Sequence, residues 1–244
     1  MKPTLWIAAL LTLLASPVAA VDLAGIEAAT FILYANGNST CSGQVVQSGE
    51  GGTLLLTAHH CLGDSADTEF SIRTTVKVGR DIVSYTSYSA VVIKKDPKQD
   101  LAVLRLRDEK VTLPVTDLAT AEEADTALFK GADVLAAGYP ATWATGMEDL
   151  VFSDGLFTGV RESFVPSISV DVYRSTVPVW YGKSGGGLYA QIDGKFKLVG
   201  VATQLDPETP WETSLWVPVA EVHKMLKGTW IDGKNLSDPA YTER

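Results

Sequence analysis

The chain has 244 residues, which is room for one ordinary domain or two small ones. A hydrophobic fraction of 46% can build a substantial core, and a charged fraction of 20% is too low for a disordered chain. The net charge of −9 argues against nucleic-acid binding, because no excess of cations is available to displace counterions from phosphates. Three His and two Cys do not form a metal-binding pattern, so we expect neither a metal nor another cofactor.

Residues 1–20 have the features of a secretory signal. Lys2 gives a positive start, Trp6–Leu14 is mostly apolar, and Ser16–Ala20 offers the small residues that a signal peptidase reads, with cleavage expected after Ala20. The alternative is an uncleaved membrane anchor, for which the apolar run is short. Since no later segment is long enough to span a bilayer, we expect a secreted or periplasmic protein with no membrane contact after signal removal.

The two cysteines, Cys41 and Cys61, become candidate disulfide partners if the chain is exported to an oxidising compartment. A pair of buried free thiols is the alternative. A bridge closing a loop of this length is worth about 3 kcal/mol in the loop-entropy model. One such bridge would be a local cross-link, so the stability of the fold must come mainly from its apolar core.

Short apolar runs rich in β-branched and aromatic residues, separated by Gly, Asp, Asn or Pro, predict an all-β sandwich or barrel. No long helical pattern alternates with them, which argues against a βαβ architecture. One amphipathic helix is predicted over Val219–Lys227. The charged stretch Arg107–Lys130 reads as a linker between two β modules. The predicted strands are Thr30–Tyr34, Gly43–Gln47, Thr53–Thr57, Ser89–Lys94, Leu101–Leu106, Asp133–Tyr139, Leu150–Val160, Ser167–Val172, Gly187–Ile192, Phe196–Thr203 and Ser214–Val217.

Three segments carry residues that are suited to catalysis. His59 and His60 end a strand, and histidine is a proton shuttle near neutral pH. Asp100 opens an apolar strand, so its carboxylate needs a donor such as an imidazole N–H. Ser184 lies among glycines that let backbone N–H groups converge, as an oxyanion hole requires. Taken singly, each segment also fits a structural interpretation: surface histidines, a turn aspartate and a glycine turn.

Two other motifs overlap the serine segment and fail on their context. A phosphate-binding loop would need its first glycine at Val177. Gly182, Ser184 and Gly186 match the nucleophile elbow of α/β hydrolases, but that fold needs a helix after the serine and its histidine downstream. A strand is predicted there instead, and the downstream His223 lies on the predicted helix.

In the chain order His, Asp, Ser, the three segments together resemble the chymotrypsin-like serine peptidases. Thr57–Cys61 is similar to that family's Thr-Ala-Ala-His-Cys, and Cys41–Gly43 supplies the partner cysteine. Asp100–Leu104 resembles the catalytic Asp segment, Gly182–Gly186 resembles Gly-Asp-Ser-Gly-Gly, and Val199–Thr203 resembles the cleft strand. The resemblance covers about residues 28–227 and is nearest to bacterial periplasmic heat-shock peptidases, without the PDZ domain that those usually add.

The resemblance implies two six-stranded antiparallel β-barrels with the active site in the cleft between them. Its domain boundaries are a barrel at 21–112, a linker at 113–130, a barrel at 131–217, a C-terminal helix at 218–228 and a tail at 229–244. It implies a serine endopeptidase that cleaves polypeptides through an acyl-enzyme. The catalytic residues would be His60, Asp100 and Ser184, with the amides of Gly182 and Ser184 as the oxyanion hole. A non-catalytic homologue that binds proteins is the alternative, and an esterase is a smaller one.

The resemblance also suggests which residues contact substrate. The implied substrate-binding residues are Pro178, Val179, Thr203, Gln204 and Leu205, and Thr203 is also placed to hydrogen-bond Asp100. Pro178 offers no acid to select Arg or Lys, and Val179 and Ala202 lack the residues of the glutamate-selective branch. We therefore expect a small or medium apolar residue before the cut.

Lys183 departs from the family pattern. It occupies the place of the Asp that, in secreted zymogens, pairs with a newly freed N-terminal amine. A lysine cannot make that ion pair, so we expect activity without a processed N-terminus. The order of the oxyanion loop must then come from the loop itself and its packing.

Overall fold

The computed structural model describes residues 23–63, 69–78, 81–141, 149–163, 168–210, 212–227, 229–231 and 234–235. The predicted signal at residues 1–20 lies outside the described residues. Across the described parts of the chain, no helix combines the length and the apolar character that crossing a bilayer requires.

Twelve strands close into two antiparallel barrels of six strands each, which confirms the predicted all-β fold class. The first barrel has the order β1-β2-β3-β6-β5-β4 and the second the order β7-β8-β9-β12-β11-β10. The first barrel contains β1 (Thr30–Ala35), β2 (Asn38–Gly49), β3 (Gly52–Ala58), β4 (Phe70–Val78), β5 (Asp81–Asp96) and β6 (Leu101–Leu106). The second contains β7 (Asp133–Gly138), β8 (Val151–Glu162), β9 (Asp171–Ser175), β10 (Gly187–Ile192), β11 (Lys195–Leu205) and β12 (Ser214–Pro218).

Three α-helices and a small hairpin complete the described chain. The helices are α1 (Leu23–Ala29), α2 (Ala121–Ala127) and α3 (Val219–Leu226), and the hairpin joins β13 (Trp230–Ile231) to β14 (Lys234–Asn235). α3 ends one residue before the predicted helix end. Its buried residues recur at helical spacing, as the sequence pattern predicts: Val219, Val222, Met225 and Leu226.

β3 shows why the two barrels form one body. Every residue of this strand is buried, because its two faces serve two different cores. Leu55 points into the first barrel, where it joins a cluster with Ile72 and Leu104. Leu54 and Leu56 join the second cluster, which continues through the opposite barrel. The three consecutive leucines of β3 therefore pack into the cores of both barrels, and this strand holds the barrels together.

Several elements differ from their sequence-based prediction. α1 and the β13–β14 hairpin carry no predicted element, and β5 extends well beyond the predicted Ser89–Lys94. α2 lies inside the stretch interpreted as a plain linker, where Thr120 and Glu123 form a capping box that starts the helix. The sequence pattern predicts no strand at β4, although its Phe70 and Ile72 are buried in the first barrel. β9 is displaced from the predicted Ser167–Val172, because its pairing with β8 and β12 fixes its bounds.

Candidate active site

Three hydrogen-bond contacts join His60 to Asp100, two from the ring nitrogen and one from the backbone. His60 lies in a short 3-10 helix, His59–Leu62, that follows directly on β3. Its Nδ1 is 2.9 Å from Asp100 Oδ2, and its backbone N–H donates to Asp100 Oδ1 at 2.9 Å. The histidine side chain is 46% exposed and the aspartate side chain 7% exposed. The carboxylate therefore fixes the imidazole from the buried side, while the other edge of the ring faces the cleft.

Asp100 is held in an unusual backbone conformation. Its φ of +52° lies in the left-handed region, which aspartate tolerates better than most residues. Its carbonyl accepts a hydrogen bond from the N–H of His59 at 3.0 Å. Thr203 Oγ1 donates to Asp100 Oδ2. The buried carboxylate is thus held by donors from the histidine turn and from β11 of the second barrel, so it needs no water to satisfy it.

Ser184 lies in a tight loop between Trp180 and β10. Lys183 N–H donates to Trp180 C=O at 2.9 Å, and Gly182 in between has a φ of +89°. This bond, with a positive φ at the third residue, is typical of a type II turn. A Cβ at Gly182 would lie 2.4 Å from the nitrogen of Ala141, so only glycine fits there.

The loop is fixed from both barrels. Ser184 C=O accepts from the N–H of Ser42 on β2 at 2.8 Å, and Gly185 N–H donates to Ala202 C=O on β11 at 2.8 Å. A Cβ on Gly185 would lie 2.3 Å from both Ser42 O and Thr57 Oγ1. The serine is therefore seated between β2, the end of β3 that leads to His60, and the β11 residue preceding Thr203.

The amides of Gly182 and Ser184 donate no hydrogen bond to any acceptor within the described residues. Both belong to a turn whose other polar groups are used, since Gly182 C=O accepts from Ser42 Oγ at 2.8 Å. Two unengaged N–H groups beside a serine hydroxyl are what an oxyanion hole requires.

No hydrogen bond joins Ser184 Oγ to His60 Nε2 in the described chain. Such bonds are often long in the free enzyme and tighten when substrate is bound. Among the three predicted catalytic residues, the structure joins His60 to Asp100 directly, and it holds Ser184 through the backbone contacts of its loop.

Lys183 points away from this cleft. The residue is 3% exposed, and its Nζ donates to Ser153 Oγ on β8 at 2.7 Å. Its stem packs on Gly138 at the end of β7, where an added Cβ would lie 3.3 Å from Lys183 Cγ. Burial lowers the pKa of this ammonium group to about 8. A basic side chain adjoining the predicted nucleophile is therefore inserted into the second barrel.

A small pocket of about 50 Å³ opens beside the serine loop. Three of the predicted substrate-binding residues line it: Pro178, Val179 and Leu205. Thr203 is buried against Asp100 instead, and Gln204 pairs with Leu215 in the β11–β12 ladder. The sequence prediction missed the remaining lining residues: Thr176, Trp180, Pro210, Glu212, Thr213 and Ser214. They come from segments that carry no motif, so only the fold could reveal them.

Cys41, His60 and Cys61 bring possible ligand atoms within 4.8 Å of one another. The two sulfurs are joined in a disulfide with a Cα–Cα distance of 5.9 Å, so neither is available as a thiolate ligand. This bridge, predicted from the sequence, links β2 to the turn that carries His60.

Comparisons with known proteins agree with this geometry. A family model described as Trypsin-like peptidase domain matches residues 41–201. No curated protein matches the chain significantly. The Rv3671c protease from M. tuberculosis in its active form aligns with a TM-score of 0.63 at 20% identity, over 93% of this chain and 92% of that one.

Two further solved structures are similar. The MamO protease domain from Magnetospirillum magneticum aligns with a TM-score of 0.64 at 19% identity, over 82% of this chain and 96% of that one. Deg5 aligns with a TM-score of 0.62 at 21% identity, over 83% of this chain and 88% of that one. At these identities the likeness is one of fold.

Proposed function

The chain belongs to the trypsin-like peptidase domain family and has the fold of a serine endopeptidase, and from that premise we propose that it cleaves polypeptides through Ser184, His60 and Asp100. The observation that carries the proposal is the hydrogen-bonded line from Thr203 through Asp100 to His60. That line ends beside a loop with two unengaged amides. The proposal includes export of the chain, which the disulfide and the signal-like residues 1–20 support.

The mechanism is acyl transfer. Ser184 Oγ attacks the scissile carbonyl carbon while His60 Nε2 takes the hydroxyl proton. The carbonyl oxygen becomes an oxyanion that the N–H groups of Gly182 and Ser184 stabilise. Collapse of this intermediate breaks the C–N bond, and His60 returns the proton to the leaving amine.

Water then enters the cleft and repeats the sequence on the ester. His60 takes a proton from the water, the hydroxide attacks the acyl carbon, and the proton goes back to Ser184 Oγ as the acid product leaves. Throughout, Asp100 keeps Nδ1 protonated, so that Nε2 is the free base. It also stabilises the imidazolium that forms in each half-reaction.

A fluorophosphonate probe tests this function directly, because it phosphonylates a serine activated by a base and an oxyanion hole. We expect the wild type to be labelled at Ser184 and to hydrolyse a denatured polypeptide. Ser184→Ala should abolish labelling and lower kcat by about 10⁶-fold. Labelled peptides identified by mass spectrometry give the site.

His59→Ala is the matched control for His60→Ala. His59 contributes its backbone N–H to Asp100, which the substitution keeps, so this variant should remain active. His60→Ala should be as inactive as Ser184→Ala. If the wild type is not labelled by the fluorophosphonate and does not cleave polypeptides, the proposed peptidase activity is contradicted and a non-catalytic binding protein is favoured.

The pocket suggests the substrate residue before the cut. Pro178, Val179 and Leu205 make much of its wall apolar, and Glu212 adds a charged residue to the lining. Its volume of about 50 Å³ favours a short side chain over a long basic or aromatic one. We propose that it accepts Ala, Val or similar side chains in preference to Arg, Lys or Phe. Profiling of cleavage sites in a peptide library tests this preference, with a uniform distribution or a basic preference as the contradicting result. Leu205→Ala, which widens the pocket, should shift the preference towards larger apolar residues.

A further inference from the structure

Lys183 is a buried cation in the loop that carries the proposed nucleophile, and no acidic group pairs with it within the described residues. The one hydrogen-bond partner of its ammonium group there is the hydroxyl of Ser153. Burying an ammonium group with only a neutral partner is costly. An apolar side chain of similar length would fill the same space without that cost, so the lysine calls for a functional explanation.

The backbone of Lys183 ties both halves of the loop together. Its N–H closes the turn to Trp180, and its C=O accepts from the N–H of Gly186 at 2.8 Å. Gly182 and Ser184, whose amides form the proposed oxyanion hole, are its immediate neighbours in the chain. Rotation of the Lys183–Ser184 peptide group would turn the Ser184 amide away from the cleft. Opening of the turn that the Lys183 N–H closes would release the Gly182 amide, which lies inside that turn.

The side chain controls that rotation because it is held at its far end. Ser153 lies on β8, opposite Ala136 of β7, so the hydrogen bond joins the loop to the wall of the second barrel. Contact of the lysine stem with Gly138 holds it at mid-length. We propose that the Lys183–Ser153 hydrogen bond is an internal anchor that keeps the oxyanion loop in its catalytic conformation before substrate binds.

This proposal rests on the proposed function, because an oxyanion hole matters only to an acyl-transfer enzyme. Lys183 and Ser153 are positioning residues, since neither contacts the reacting atoms. The anchor replaces an ion pair to a freed N-terminal amine, and it is present as soon as the chain folds. Activity should therefore not depend on N-terminal processing.

Lys183→Met is the test variant, because methionine keeps the length and burial of the side chain and removes its hydrogen bond. We expect fluorophosphonate labelling and kcat to fall about 10-fold to 100-fold, since the oxyanion amides are loosened rather than deleted. KM should stay within about threefold of wild type, because the substrate pocket is unchanged. Ser153→Ala should produce a loss in the same direction, and adding it to Lys183→Met should cause no further loss.

Lys195→Met is the matched control, since it makes the same substitution at an exposed lysine on β11. It should label and cleave as the wild type does. If Lys183→Met has the same kcat as the wild type, or loses only thermal stability, the proposed anchor role of the Lys183–Ser153 hydrogen bond is wrong.

Hydrogen exchange of the 180–186 segment separates failure of the anchor from failure of the function. It is measured in the Ser184→Ala background, so no activity is needed. Lys183→Met should speed exchange of this segment, and Lys195→Met should not. If Lys183→Met speeds exchange but the fluorophosphonate does not label the wild type, the peptidase function is rejected and the anchor is retained. If the wild type is labelled but Lys183→Met leaves the exchange unchanged, the peptidase function is retained and the anchor is rejected.

Discussion

The buried ammonium group of Lys183 lowers the stability of the folded protein, although we propose that it positions the oxyanion loop for catalysis. Burial lowers its pKa from the ordinary 10.5 to about 8. Below pH 8 the folded protein must hold the charged form in a poorly solvated place, whereas the unfolded chain solvates it freely. Between pH 8 and 10.5 the unfolded chain binds a proton that the folded protein has lost, so the unfolding free energy contributed by this residue rises with pH.

Lys183→Met should therefore stabilise the protein at neutral pH while it slows the chemistry. We expect a gain of about 3 kcal/mol in the free energy of unfolding at pH 7, shrinking to nothing near pH 10.5. Urea unfolding at several pH values, followed by tryptophan fluorescence, measures this difference. Lys195→Met should show no such pH-dependent gain. A gain that did not change with pH would show that the charge is not its cause.

The residues proposed to be catalytic could be singled out in the sequence because their local context is distinctive. Asp100 opens an apolar strand and Ser184 stands among glycines, so each carries its signal within a few neighbours. The Lys183–Ser153 contact has no such signal. It joins residues 30 positions apart, and nothing marks Ser153 in its strand, so only the closed second barrel brings the two together.

At the scale of elements, the end of β3 and the turn after it depend on the disulfide. Cys61 lies in the same 3-10 helix as His60, and its bridge to Cys41 fixes that helix to β2. The following segment, residues 64–68, lies outside the described residues. The histidine turn is therefore held both by the bridge to β2 and by its hydrogen bonds to Asp100.

Replacing both cysteines by alanine should cost about 3 kcal/mol of stability, by releasing the loop constraint on the unfolded chain. Hydrogen exchange should also rise at 59–62, so activity should fall more steeply on warming than in the wild type. Thermal unfolding with and without reductant measures the effect. Reductant should destabilise the wild type and leave the double variant unchanged. Free, alkylatable thiols in exported wild-type protein would contradict the bridge.

The elements themselves were predictable where one face alternates or a run is wholly apolar, as in β3 and β10. α2 does have a signal in the sequence that a search for strands overlooks. Thr120 is followed three residues later by Glu123, which is the pattern of a helix capping box. β9 could not be bounded from sequence, because its ends are set by ladder partners on β8 and β12. Composition alone does not identify those partners.

At the scale of the whole molecule, the proposed catalysis requires the two barrels to stay aligned, because His60 and Asp100 come from one barrel and Ser184 from the other. A buried polar cluster contributes to this alignment. Tyr189 on β10 donates to Gln44 Oε1 on β2 at 2.7 Å, and the hydroxyls of Thr30 and Thr116 lie 3.1 and 3.2 Å from the same oxygen. Burial raises the pKa of the Tyr189 phenol, so it remains a donor at any physiological pH.

Tyr189→Phe should weaken this link between the barrels while keeping the apolar packing of the ring. The substitution removes the shortest of the three hydrogen-bond contacts to Gln44 Oε1 and leaves those of Thr30 and Thr116, so we expect a stability loss of about 1 kcal/mol. We also expect kcat to fall, because a looser barrel interface lets the histidine and the serine separate. Urea unfolding and steady-state hydrolysis measure the two effects.

Tyr88→Phe is the matched control, since it removes a hydroxyl from a partly buried tyrosine of β5, within one barrel. It should change neither stability nor kcat appreciably. In the double variant Tyr189→Phe/Gln44→Met both polar partners are gone, so the stability loss should be smaller than the sum of the two single losses. Its kcat should nevertheless stay low, because an apolar pair restores packing but not the directional bond between the barrels. Strictly additive losses would mean that Tyr189 and Gln44 act independently and that the apolar core alone holds the barrels in register.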